Sequence, residues 1–579
     1  MDSIQTTLTH LFHKAFISAF PQLTGDAIEI DVAQSKQEKF GHYQCNTAMR
    51  LAKPLQMNPR EIAQQAVDHA EKGNMIETLE IAGPGFINIT LSPACIEEKA
   101  QAMATSPSLD ITPPDSPQRI IVEFSSPNTA KELHVGHLRS TIIGDCLARV
   151  FEFLGHDVIR LNHVGDWGTA FGMLIAYLKQ HHPQILTGEE DTDLSHLVSW
   201  YKASKKQFDE DPEFKKLSQL EVVALQGGEP DSLKAWDIIC GISRRAYQEI
   251  YNLLDIRIEE RGESFYNPAL PGLIAELDQK GLIEVSEGAK CIFIPEFQNR
   301  EGNPMPLMVQ KSDGGFGYDT TDMAAMRQRV LEEKADRIII VTDAGQALHF
   351  KLVHAASVKA GYLDPEKVRF DHVTFGLVLG ADGKKFRTRS GEVEKLIDLI
   401  YTAIDKAREI MAERNPEMPE EQRDQIARAL GIGAIKYADL SCHRTGDYTF
   451  SYDRMLRFEG NTAAFLMYAY VRIAGIKRKI GDDLNLQEDS ISLEHPSEIA
   501  LGLHLAQFSE ALQQVAEDLL PNRLTDYLYT LAEKFNAFYR DCKVEGVPEQ
   551  NSRLLLCEAT ARTLKQGLSL LGVETVEKM

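Results

Sequence analysis

A compact apolar segment, a helix-like segment and a second apolar segment follow one another between residues 119 and 164, and this succession constrains the fold more than any other feature. The first segment reads RIIVEF (119–124) and the last reads HDVIRLNHV (156–164). Between them, LRSTIIGDCLARVFEFLG (138–155) has helical periodicity and ends at a glycine, which is typical of a helix C-terminus. A strand, a helix and a strand at this spacing predict a βαβ unit and therefore a parallel sheet. Ligands of such sheets bind beyond the carboxyl ends of the strands.

Three domains are expected around this unit. Residues 1–110 combine helical patterns with the strand-like GPGFINITL, which predicts an α+β N-terminal domain. The proline-rich SPSLDITPPDSPQ (106–118) predicts a linker, because proline fixes φ and removes a hydrogen-bond donor. Residues 111–400 are expected to form an α/β domain with a Rossmann-type parallel sheet, interrupted by a more charged insertion at roughly 185–300. Residues 401–579 are helical almost throughout and predict an all-α domain.

Composition limits the classes of protein to which this chain can belong. No apolar run approaches the roughly 18 residues of a membrane span, and the N-terminus lacks the basic segment of a signal peptide. The eight cysteines are scattered without any C-x-x-C pair, so we expect neither a zinc site nor a disulfide framework. A cytoplasmic protein with reduced thiols is the simplest interpretation.

The charge of the chain argues against nonspecific nucleic-acid binding, because 62 basic residues stand against 85 acidic ones and the net charge is −23. Residues 428–479 depart from this balance, with nine Lys or Arg against four Asp or Glu, interleaved with aromatic residues. A basic, aromatic segment of this kind is typical of a selective RNA-binding surface. The alternative is a solvated helix face over an aromatic core.

Two histidines flank a glycine in HVGH (134–137), where the first predicted strand gives way to the helix. The free N–H groups and the positive dipole end of a helix start favour an anion. Gly136 allows a ligand to approach the backbone closely, and the two imidazoles can reach the same ligand. Donors fixed in advance suit a phosphate whose charge grows during a reaction. Neither an H-E-x-x-H pattern nor a cysteine partner indicates a metal, and a structural histidine pair is the alternative.

The segment PNTAKELHVGH resembles the HIGH signature of class I aminoacyl-tRNA synthetases. The longer run from VEFSSPN through HVGHLRSTIIGD to LNHVGDWGTAFG is similar to the arginyl-tRNA synthetase family. Further blocks similar to that family follow in the expected order: GYDTTDMAAM (317–326), DAGQALHF (343–350), GLVLGADGKKFRTRSG (376–391) and RFEGNTAAFLMYAYVRI (457–473). The N-terminal KFGHYQCN (39–46) and the C-terminal VEKM also fit. The resemblance covers most of the chain, with 185–300 as the exception.

This resemblance implies a bacterial-type ligase that works in two steps. Arginine and ATP would give arginyl-adenylate and pyrophosphate, with Mg2+ neutralising phosphate oxygens, and the arginyl group would then pass to the 3′-terminal adenosine of tRNA-Arg. The family also implies a Rossmann-type catalytic domain with the HIGH motif, an N-terminal tRNA-contacting domain and a C-terminal anticodon-binding domain of the DALR type. A cytoplasmic monomer without zinc and without a membrane partner is expected.

For ATP, the resemblance points to both sides of the histidine pair. Class I enzymes carry a KMSKS signature, and GKKFRTRSG (383–391) stands in its place here, so the side chain that does the work of its lysine is open. In arginyl enzymes with this divergence a lysine just before HIGH takes over, which is Lys131 in this chain. The implied catalytic residues are His134, His137 and Lys131. The implied ATP-binding residues are His134, Gly136, His137, Lys131, Lys384 and Lys385. A solvated basic loop, which includes Arg387 and Arg389, is the alternative for 384–389.

For arginine, Tyr318 and Asp322 lie four residues apart, so on a helix start they share one face. The tyrosine can lie along the guanidinium plane while the aspartate takes its charge, although Asp322 can instead cap a helix. By resemblance, the arginine site comprises Glu123, Ser126, Asn128, Tyr318, Asp322 and Gln346. Glu123 would hold either the α-ammonium or the guanidinium group of the substrate.

For tRNA, Phe465, Tyr468 and Arg472 fall at positions i, i+3 and i+7, which form one stripe of a helix. The resemblance implies that this helix contacts the anticodon, together with Met579 at the C-terminus. Phe40, Tyr43, Gln44 and Asn46 are weaker candidates for the corner of the tRNA. Core packing is the alternative for each of these residues.

Two rival functions have distinct signatures. A cysteinyl or glutaminyl specificity on the same sheet is disfavoured, because zinc-type cysteines are absent and because GYDTTDMAAM and DAGQALHF resemble the arginyl blocks. A non-catalytic RNA-binding paralogue would be expected to lose His134, His137 or Asp322, and all three are present.

Overall fold

The computed structural model describes residues 3–23, 28–299, 301–386, 394–480 and 488–579. The chain divides into two compact units. The terminal unit comprises Met1–Pro113, Arg457–Leu570 and Glu574–Met579. The central unit comprises Pro114–Leu456 and Leu571–Val573.

The helices and strands are numbered in chain order. The N-terminal part contains α1 (Ile4–Ala19), β1 (Val32–Gln34), β2 (Tyr43–Cys45), α2 (Thr47–Leu55), α3 (Pro59–Asp68), β3 (Ile76–Ala82), β4 (Phe86–Leu91) and α4 (Pro93–Thr105). The central unit contains β5 (Arg119–Glu123), α5 (Val135–Phe153), β6 (Asp157–Asn162), α6 (Thr169–His181), α7 (Pro183–Thr187), α8 (Leu194–Glu210), α9 (Pro212–Gln226), α10 (Pro230–Leu253), β7 (Glu259–Glu260), α11 (Leu270–Gln279), β8 (Glu284–Ser286), β9 (Ala289–Gln298), β10 (Pro304–Gln310), α12 (Tyr318–Leu331), β11 (Arg337–Asp343), α13 (Ala347–Lys359), β12 (Arg369–Phe375), β13 (Val378–Leu379), α14 (Leu396–Arg414), α15 (Glu420–Leu440), β14 (Tyr448–Thr449) and α16 (Tyr452–Met455). The C-terminal part contains α17 (Ala463–Ile480), α18 (Pro496–Ala506), α19 (Phe508–Asp518), α20 (Asn522–Asp541) and α21 (Gln550–Leu570).

A five-stranded parallel sheet organises the central unit, in the order β12-β11-β5-β6-β7. The predicted βαβ unit is β5, α5 and β6. At the carboxyl end of β5, Glu123 pairs in register with Leu161 on one side and Ile340 on the other. Because all five strands run the same way, the loops that follow them meet at one edge of the sheet, where ligands of such folds bind.

The structure differs from the expected elements at two places in this unit. Helix α5 begins at Val135, three residues before the predicted start, because His134 caps it. The insertion at roughly 185–300 holds helices α7–α11 and part of an antiparallel sheet of order β10-β9-β8, but it also returns to the central sheet as β7. A strand of two residues is too short to show periodicity in the sequence.

Helices α14 and α15 also belong to the central unit. They pack closely, since a Cβ added at Gly431 would lie 2.8 Å from backbone atoms of Ala403. Helical periodicity shows that a segment is helical but not which core it joins. The expected boundaries 1–110, 111–400 and 401–579 therefore stay predictions.

Within the terminal unit, the N-terminal sheet of order β1-β2-β4-β3 is tied to α19 by one buried carboxylate. The Tyr43 hydroxyl donates to Glu510 Oε1 at 2.8 Å, and Gln34 Nε2 donates to Glu510 Oε2 at 2.6 Å. The backbone N–H of Gln5 adds a third bond to the same side chain. Residues far apart in sequence thus share one core.

A buried arginine joins α5 to the loops at the carboxyl edge of the sheet. Arg139 pairs with Asp439 at 3.0 Å, and both side chains are almost fully buried. Its Nη1 donates to the carbonyl oxygens of Gly376 and Gly446, at 2.8 and 3.2 Å. These bonds satisfy a charge that water cannot reach, so the removal of either partner leaves the other uncompensated.

Replacing Arg139 with methionine is therefore expected to lower the free energy of unfolding of the central unit by about 3–5 kcal/mol. Urea unfolding followed by tryptophan fluorescence measures this, because Trp167, Trp200 and Trp236 all lie in the central unit. The control is Arg245→Met, which breaks an exposed pair with Asp191 and should cost about 1 kcal/mol or less. Equal losses in the two variants would contradict the role of the buried pair.

Candidate active site

The two histidines of HVGH cap helix α5 reciprocally. His134 is the N-cap residue, and its Nδ1 accepts the backbone N–H of Gly136 at 3.0 Å. His137, one turn on, accepts the backbone N–H of His134 through its own Nδ1 at 3.1 Å. The ring centroids lie 4.1 Å apart. Two of the N–H groups that a helix start leaves free are thus satisfied by imidazoles.

This capping fixes the protonation of both rings. A neutral imidazole that accepts through Nδ1 carries its proton on Nε2, so each ring keeps Nε2–H as a donor. Burial, followed by the neighbouring His134 and Lys131, lowers the pKa of His137 to about 3. Burial, Lys385 and Lys131 also lower the pKa of His134. Both histidines are therefore neutral donors at physiological pH and not cations.

Gly136 makes room for the ring of the capping histidine. A Cβ at this position would lie 2.9 Å from Cε1 and 3.1 Å from Nδ1 of His134. The space beside the glycine is therefore filled by the imidazole of His134, which folds back onto the helix start.

The three predicted lysines differ in their effect on the histidine pair. Lys385 and Lys131 both lower the pKa of His134, and Lys131 also lowers the pKa of His137. All three lysines are exposed, and the backbone N–H of Lys384 donates to Asp382 at 3.1 Å. The segment after the loop returns to the site as well, since Lys395 forms an ion pair of 2.8 Å with Glu132. Arg387 and Arg389 lie outside the described residues.

The loop between β5 and α5 is held in a strained conformation. Ser125, Ser126 and Ala130 have φ values of 66°, 46° and 60°, in the region that favours glycine. The Asn162 side chain accepts the N–H of Ser126 at 2.9 Å, and Tyr251 bonds the Ser125 hydroxyl at 2.8 Å. Such strain persists only where the surroundings hold it in place.

The next turn of the same loop is fixed by a tyrosine from α10. The Tyr247 hydroxyl lies 2.8 Å from the carbonyl oxygen of Asn128 and 2.7 Å from that of Lys131. The Asn128 side chain lies over Gly165, where an added Cβ would come within 2.1 Å of Oδ1. Ser126, Asn128 and Lys131 are thereby presented at the carboxyl edge of the sheet.

An acidic pocket lies at the start of α12. The helix begins after Gly317, so Asp322 is in the helix body and the capping alternative is wrong. His349, in the first turn of α13, reaches Asp319 through Nδ1 at 3.1 Å and Asp322 through Nε2 at 2.5 Å. Because both ring nitrogens contact carboxylate oxygens, the ring is an imidazolium, and the two aspartates raise the pKa of His349 to about 9 against the effect of burial.

Glu263 adds a third acid to this pocket. Burial, with the charges of Asp322 and Asp166, raises its pKa to about 8. Asp166 holds the neighbouring Ser264, because its carboxylate accepts the backbone N–H of Ser264 at 2.8 Å and the Ser264 hydroxyl at 2.6 Å. His163 lies 3.5 Å from Asp322. A cluster of acids in which the pKa of one member is raised by its neighbours is suited to a cation.

The other residues predicted for the arginine site occupy different environments. Tyr318 is 65% exposed, and its ring meets that of His349 edge-on with centroids 5.0 Å apart. Gln346 is exposed at the start of α13. Glu123 is buried, and its Oε2 pairs with Arg329 at 2.6 Å, so one oxygen of this carboxylate is already engaged by the protein.

Sequence reasoning did not single out His163, Glu263 and His349. His163 and His349 lie within the quoted blocks LNHVGDWGTAFG and DAGQALHF, so a signal was present for both. Glu263 lies in the insertion, where the chain shows no motif that we could interpret. Its role depends on contacts with residues about 60 to 100 positions away, which no local pattern reveals.

On α17, the predicted stripe forms an exposed aromatic surface. Tyr468 is 43% exposed, and the Arg472 guanidinium lies 5.0 Å from its ring centroid. Helix α20 contributes Tyr539, 5.8 Å from the same guanidinium, and Tyr529, 5.5 Å from the ring of Phe465. Core packing is therefore wrong for Tyr468.

The remaining tRNA candidates lie near the two ends of the chain. Met579 lies two residues after Glu577. The Glu577 carboxylate accepts a hydrogen bond from the Tyr470 hydroxyl on α17 at 2.7 Å. Phe40 is half-buried beneath the Lys39 ammonium, which is 4.8 Å away, and the Gln44 side chain donates to Asn88 at 2.8 Å.

Over the described ranges, no helix combines the length and apolarity that a membrane span needs. Within the same part of the chain, no three His, Cys, Asp or Glu side chains are grouped as metal ligands. All eight cysteines are free.

Fold and site together define a class I aminoacyl-tRNA synthetase, and comparison with known families agrees. The family described as "tRNA synthetases class I (R), catalytic domain" matches residues 103–452. An arginyl-tRNA synthetase N-terminal domain matches residues 2–91, and a DALR anticodon-binding domain matches residues 466–579. The chain belongs to the arginyl-tRNA synthetase family.

Individual relatives are similar over the whole chain. An arginine–tRNA ligase of Protochlamydia amoebophila is 62% identical and one of Chlamydia caviae is 54% identical, with 100% and 99% of both chains covered. Solved arginyl-tRNA synthetases of Plasmodium falciparum and Thermus thermophilus superpose with TM-scores of 0.86 and 0.81, at 36% and 26% identity, over 100% of both chains. The predicted family and fold class are confirmed.

Replacing Gly136 with alanine is expected to displace the His134 ring, because the new Cβ has no room beside it. A displacement of about 1 Å should lower arginine-dependent ATP–pyrophosphate exchange by about 100-fold. The matched control is Gly241→Ala in α10, where no atom lies within 4 Å of an added Cβ, and this variant should keep its activity. An unchanged exchange rate in Gly136→Ala would contradict the capping geometry.

Proposed function

We propose that the chain is an arginine–tRNA ligase in which ATP and arginine meet at the carboxyl edge of the central sheet. The observation that carries the proposal is the arrangement of charge along this edge. The histidine donors with Lys131 and Lys385 form a site for an anion, and the pocket around Asp322 and Glu263 forms a site for a cation. ATP and arginine match these two sites.

In the site proposed for the anion, the Nε2–H groups of His134 and His137 would donate to phosphate oxygens of ATP. The same oxygens gain charge in the transition state, and donors already fixed by the backbone need no reorganisation. Gly136 acts by holding His134 in place. Lys131 and Lys385 supply the positive charge that the neutral imidazoles lack, and Mg2+ arrives on ATP as part of that substrate.

In the site proposed for the cation, Asp322 and Glu263 would bind the guanidinium group, and Tyr318 would lie along its face. A cation here lowers the cost of ionising Glu263, whose pKa is raised to about 8 by burial and by neighbouring acids. Ser126 and Asn128, on the strained loop, and Gln346 are proposed to meet the α-amino and α-carboxylate groups. Glu123 is proposed to act together with its partner Arg329, since that pair is already formed.

The first chemical step is then an in-line displacement. The arginine carboxylate attacks the α-phosphorus of ATP, an acyl–phosphate bond forms, and pyrophosphate leaves with the bonding electron pair. No covalent bond forms between the protein and a substrate, so positioning and charge stabilisation account for the catalysis. In the second step the terminal adenosine hydroxyl of tRNA-Arg attacks the acyl carbon and an ester bond forms. The acyl–phosphate bond breaks, AMP leaves with its electron pair, and the hydroxyl proton is released.

Selection against lysine follows from the same pocket. An ammonium presents one compact centre, whereas a guanidinium presents a planar fork to separate acceptors. With lysine bound, part of the pocket of Asp322 and Glu263 would keep an unpaired carboxylate, which is costly in a buried site.

The aromatic surface of α17 and α20 is proposed to bind the anticodon of tRNA-Arg. Phe465, Tyr468 and Tyr539 offer ring faces for splayed bases, and Arg472 lies among them with one nitrogen held by Asn536 at 2.8 Å. Met579 is proposed to extend this surface, and Phe40 and Gln44 to contact another part of the same tRNA. We also propose that the enzyme works as a cytoplasmic monomer.

The proposal is tested by ATP–pyrophosphate exchange with arginine and tRNA-Arg, in which Lys131→Ala should be slower by about 100-fold. Lys385→Ala should also lose activity, because both lysines act on His134. Lys384→Ala is the matched control beside it and should stay within about threefold of the parent. A larger loss in Lys384→Ala than in Lys131→Ala would reverse this assignment. Exchange supported by glutamine or cysteine but not by arginine would overturn the proposed function itself.

A further inference from the structure

His349 stands apart from the other histidines of the active site, because both of its ring nitrogens bind carboxylates. Nδ1 contacts Asp319 Oδ1 at 3.1 Å, and Nε2 contacts Asp322 Oδ2 at 2.5 Å. The ring and the Asp322 carboxylate are each only 16% exposed. Short charge-assisted bonds in a partly buried site are the strong ones, so this contact fixes the Asp322 side chain.

The contacts of Asp322 leave one oxygen for a ligand. Oδ2 is taken by His349, and Oδ1 faces His163 at the longer distance of 3.5 Å. A carboxylate held through one oxygen offers the other in a fixed direction. Without that hold, Asp322 could rotate about two side-chain bonds, and its charge would repel that of Asp319 three residues away on the same helix.

His349 is itself held from both sides. The second aspartate, Asp319, accepts from Nδ1 and also from the backbone N–H of Met308 at 3.2 Å, which anchors it to β10. The rings of Tyr318 and Phe350 meet the imidazole edge-on, with centroids 5.0 and 4.9 Å away. A continuous series of contacts therefore connects β10 to Asp319, Asp319 to His349, and His349 to Asp322.

We propose that His349 is a positioning residue for arginine, which aims the free oxygen of Asp322 at the guanidinium group of the substrate. The proposal rests on the proposed arginine site, because it acts through Asp322. His349 would not touch ATP, and it would not touch the reacting carboxylate of arginine. Its loss should therefore weaken arginine binding in the ground state and the transition state alike.

Three substitutions at this position separate a positioning role from a general structural one. The side-chain nitrogen of glutamine reaches the place of imidazole Nε2, and that of asparagine reaches the place of Nδ1. His349→Gln can thus keep the bond to Asp322, whereas His349→Asn can keep only the bond to Asp319. Alanine removes both.

The experiment is steady-state aminoacylation of tRNA-Arg, with KM for arginine, KM for ATP and kcat measured separately. His349→Ala and His349→Asn should raise KM for arginine by about 10-fold or more, and kcat and KM for ATP should change by less than about threefold. His349→Gln should restore KM for arginine to within about threefold of the parent value. The matched control is His354→Gln on the same helix. The His354 ring stacks on Phe370 with centroids 5.0 Å apart, and its replacement should leave all three constants unchanged.

Each contrary result has a definite meaning. If His349→Ala leaves KM for arginine within about twofold of the parent, or if asparagine rescues as well as glutamine, His349 does not position Asp322. An equal rise in both KM values, with a lower unfolding temperature by tryptophan fluorescence, would assign it a structural role. Asp322→Asn distinguishes the underlying proposal: an unchanged KM for arginine in that variant would overturn the arginine site, whereas a large rise there without an effect at His349 would overturn the present inference alone.

Discussion

The reciprocal capping of helix α5 by His134 and His137 is the interaction on which the active site depends. It satisfies two backbone donors at a buried helix start, and it determines which nitrogen of each ring carries the proton. It also explains Gly136, since the ring of His134 occupies the space of a side chain at that position. The HVGH motif thus forms a helix cap, and the Nε2–H donors of its two histidines are a consequence of that cap.

Around this fixed point, the sheet edge separates opposite charges. Lysines from two distant segments approach His134, while acids from three other segments surround the proposed guanidinium position. The buried charges that stabilise the fold form ion pairs with each other: Arg139 pairs with Asp439, and Arg329 pairs with Glu123. At the proposed ligand positions, the neutral histidines keep their Nε2–H donors and Glu263 has a raised pKa, and shifted pKa values cluster at functional sites.

Much of this could be predicted from the sequence, for reasons that differ from residue to residue. The βαβ unit has long apolar runs, and the histidine pair is adjacent in sequence, so both produce local patterns. The start of α5 was missed by three residues, because histidine is not among the usual capping residues. Strand β7 was missed since two residues carry no periodicity.

The rest depends on contacts between distant segments. Nothing near Glu263 in the sequence indicates that the charges of Asp322 and Asp166 raise its pKa, and nothing near His349 indicates that it joins two aspartates of another helix. The proposed roles of Lys131 and Lys385 likewise depend on the fold, because it brings two distant segments of the chain close to His134. Such pairings follow from the packing of whole elements, and a local pattern does not encode them.

The central claim, that both histidines are neutral Nε2–H donors held by the backbone, is tested most directly by NMR of the protein labelled with 15N-histidine. Variants that lack His134 or His137 assign the two rings. The account predicts that each ring is protonated on Nε2 and not on Nδ1 at pH 7, and that His137, with a pKa of about 3, stays neutral when the pH is lowered to about 5. A ring protonated on Nδ1, or a His137 that titrates near its ordinary pKa of about 6.5, would contradict it.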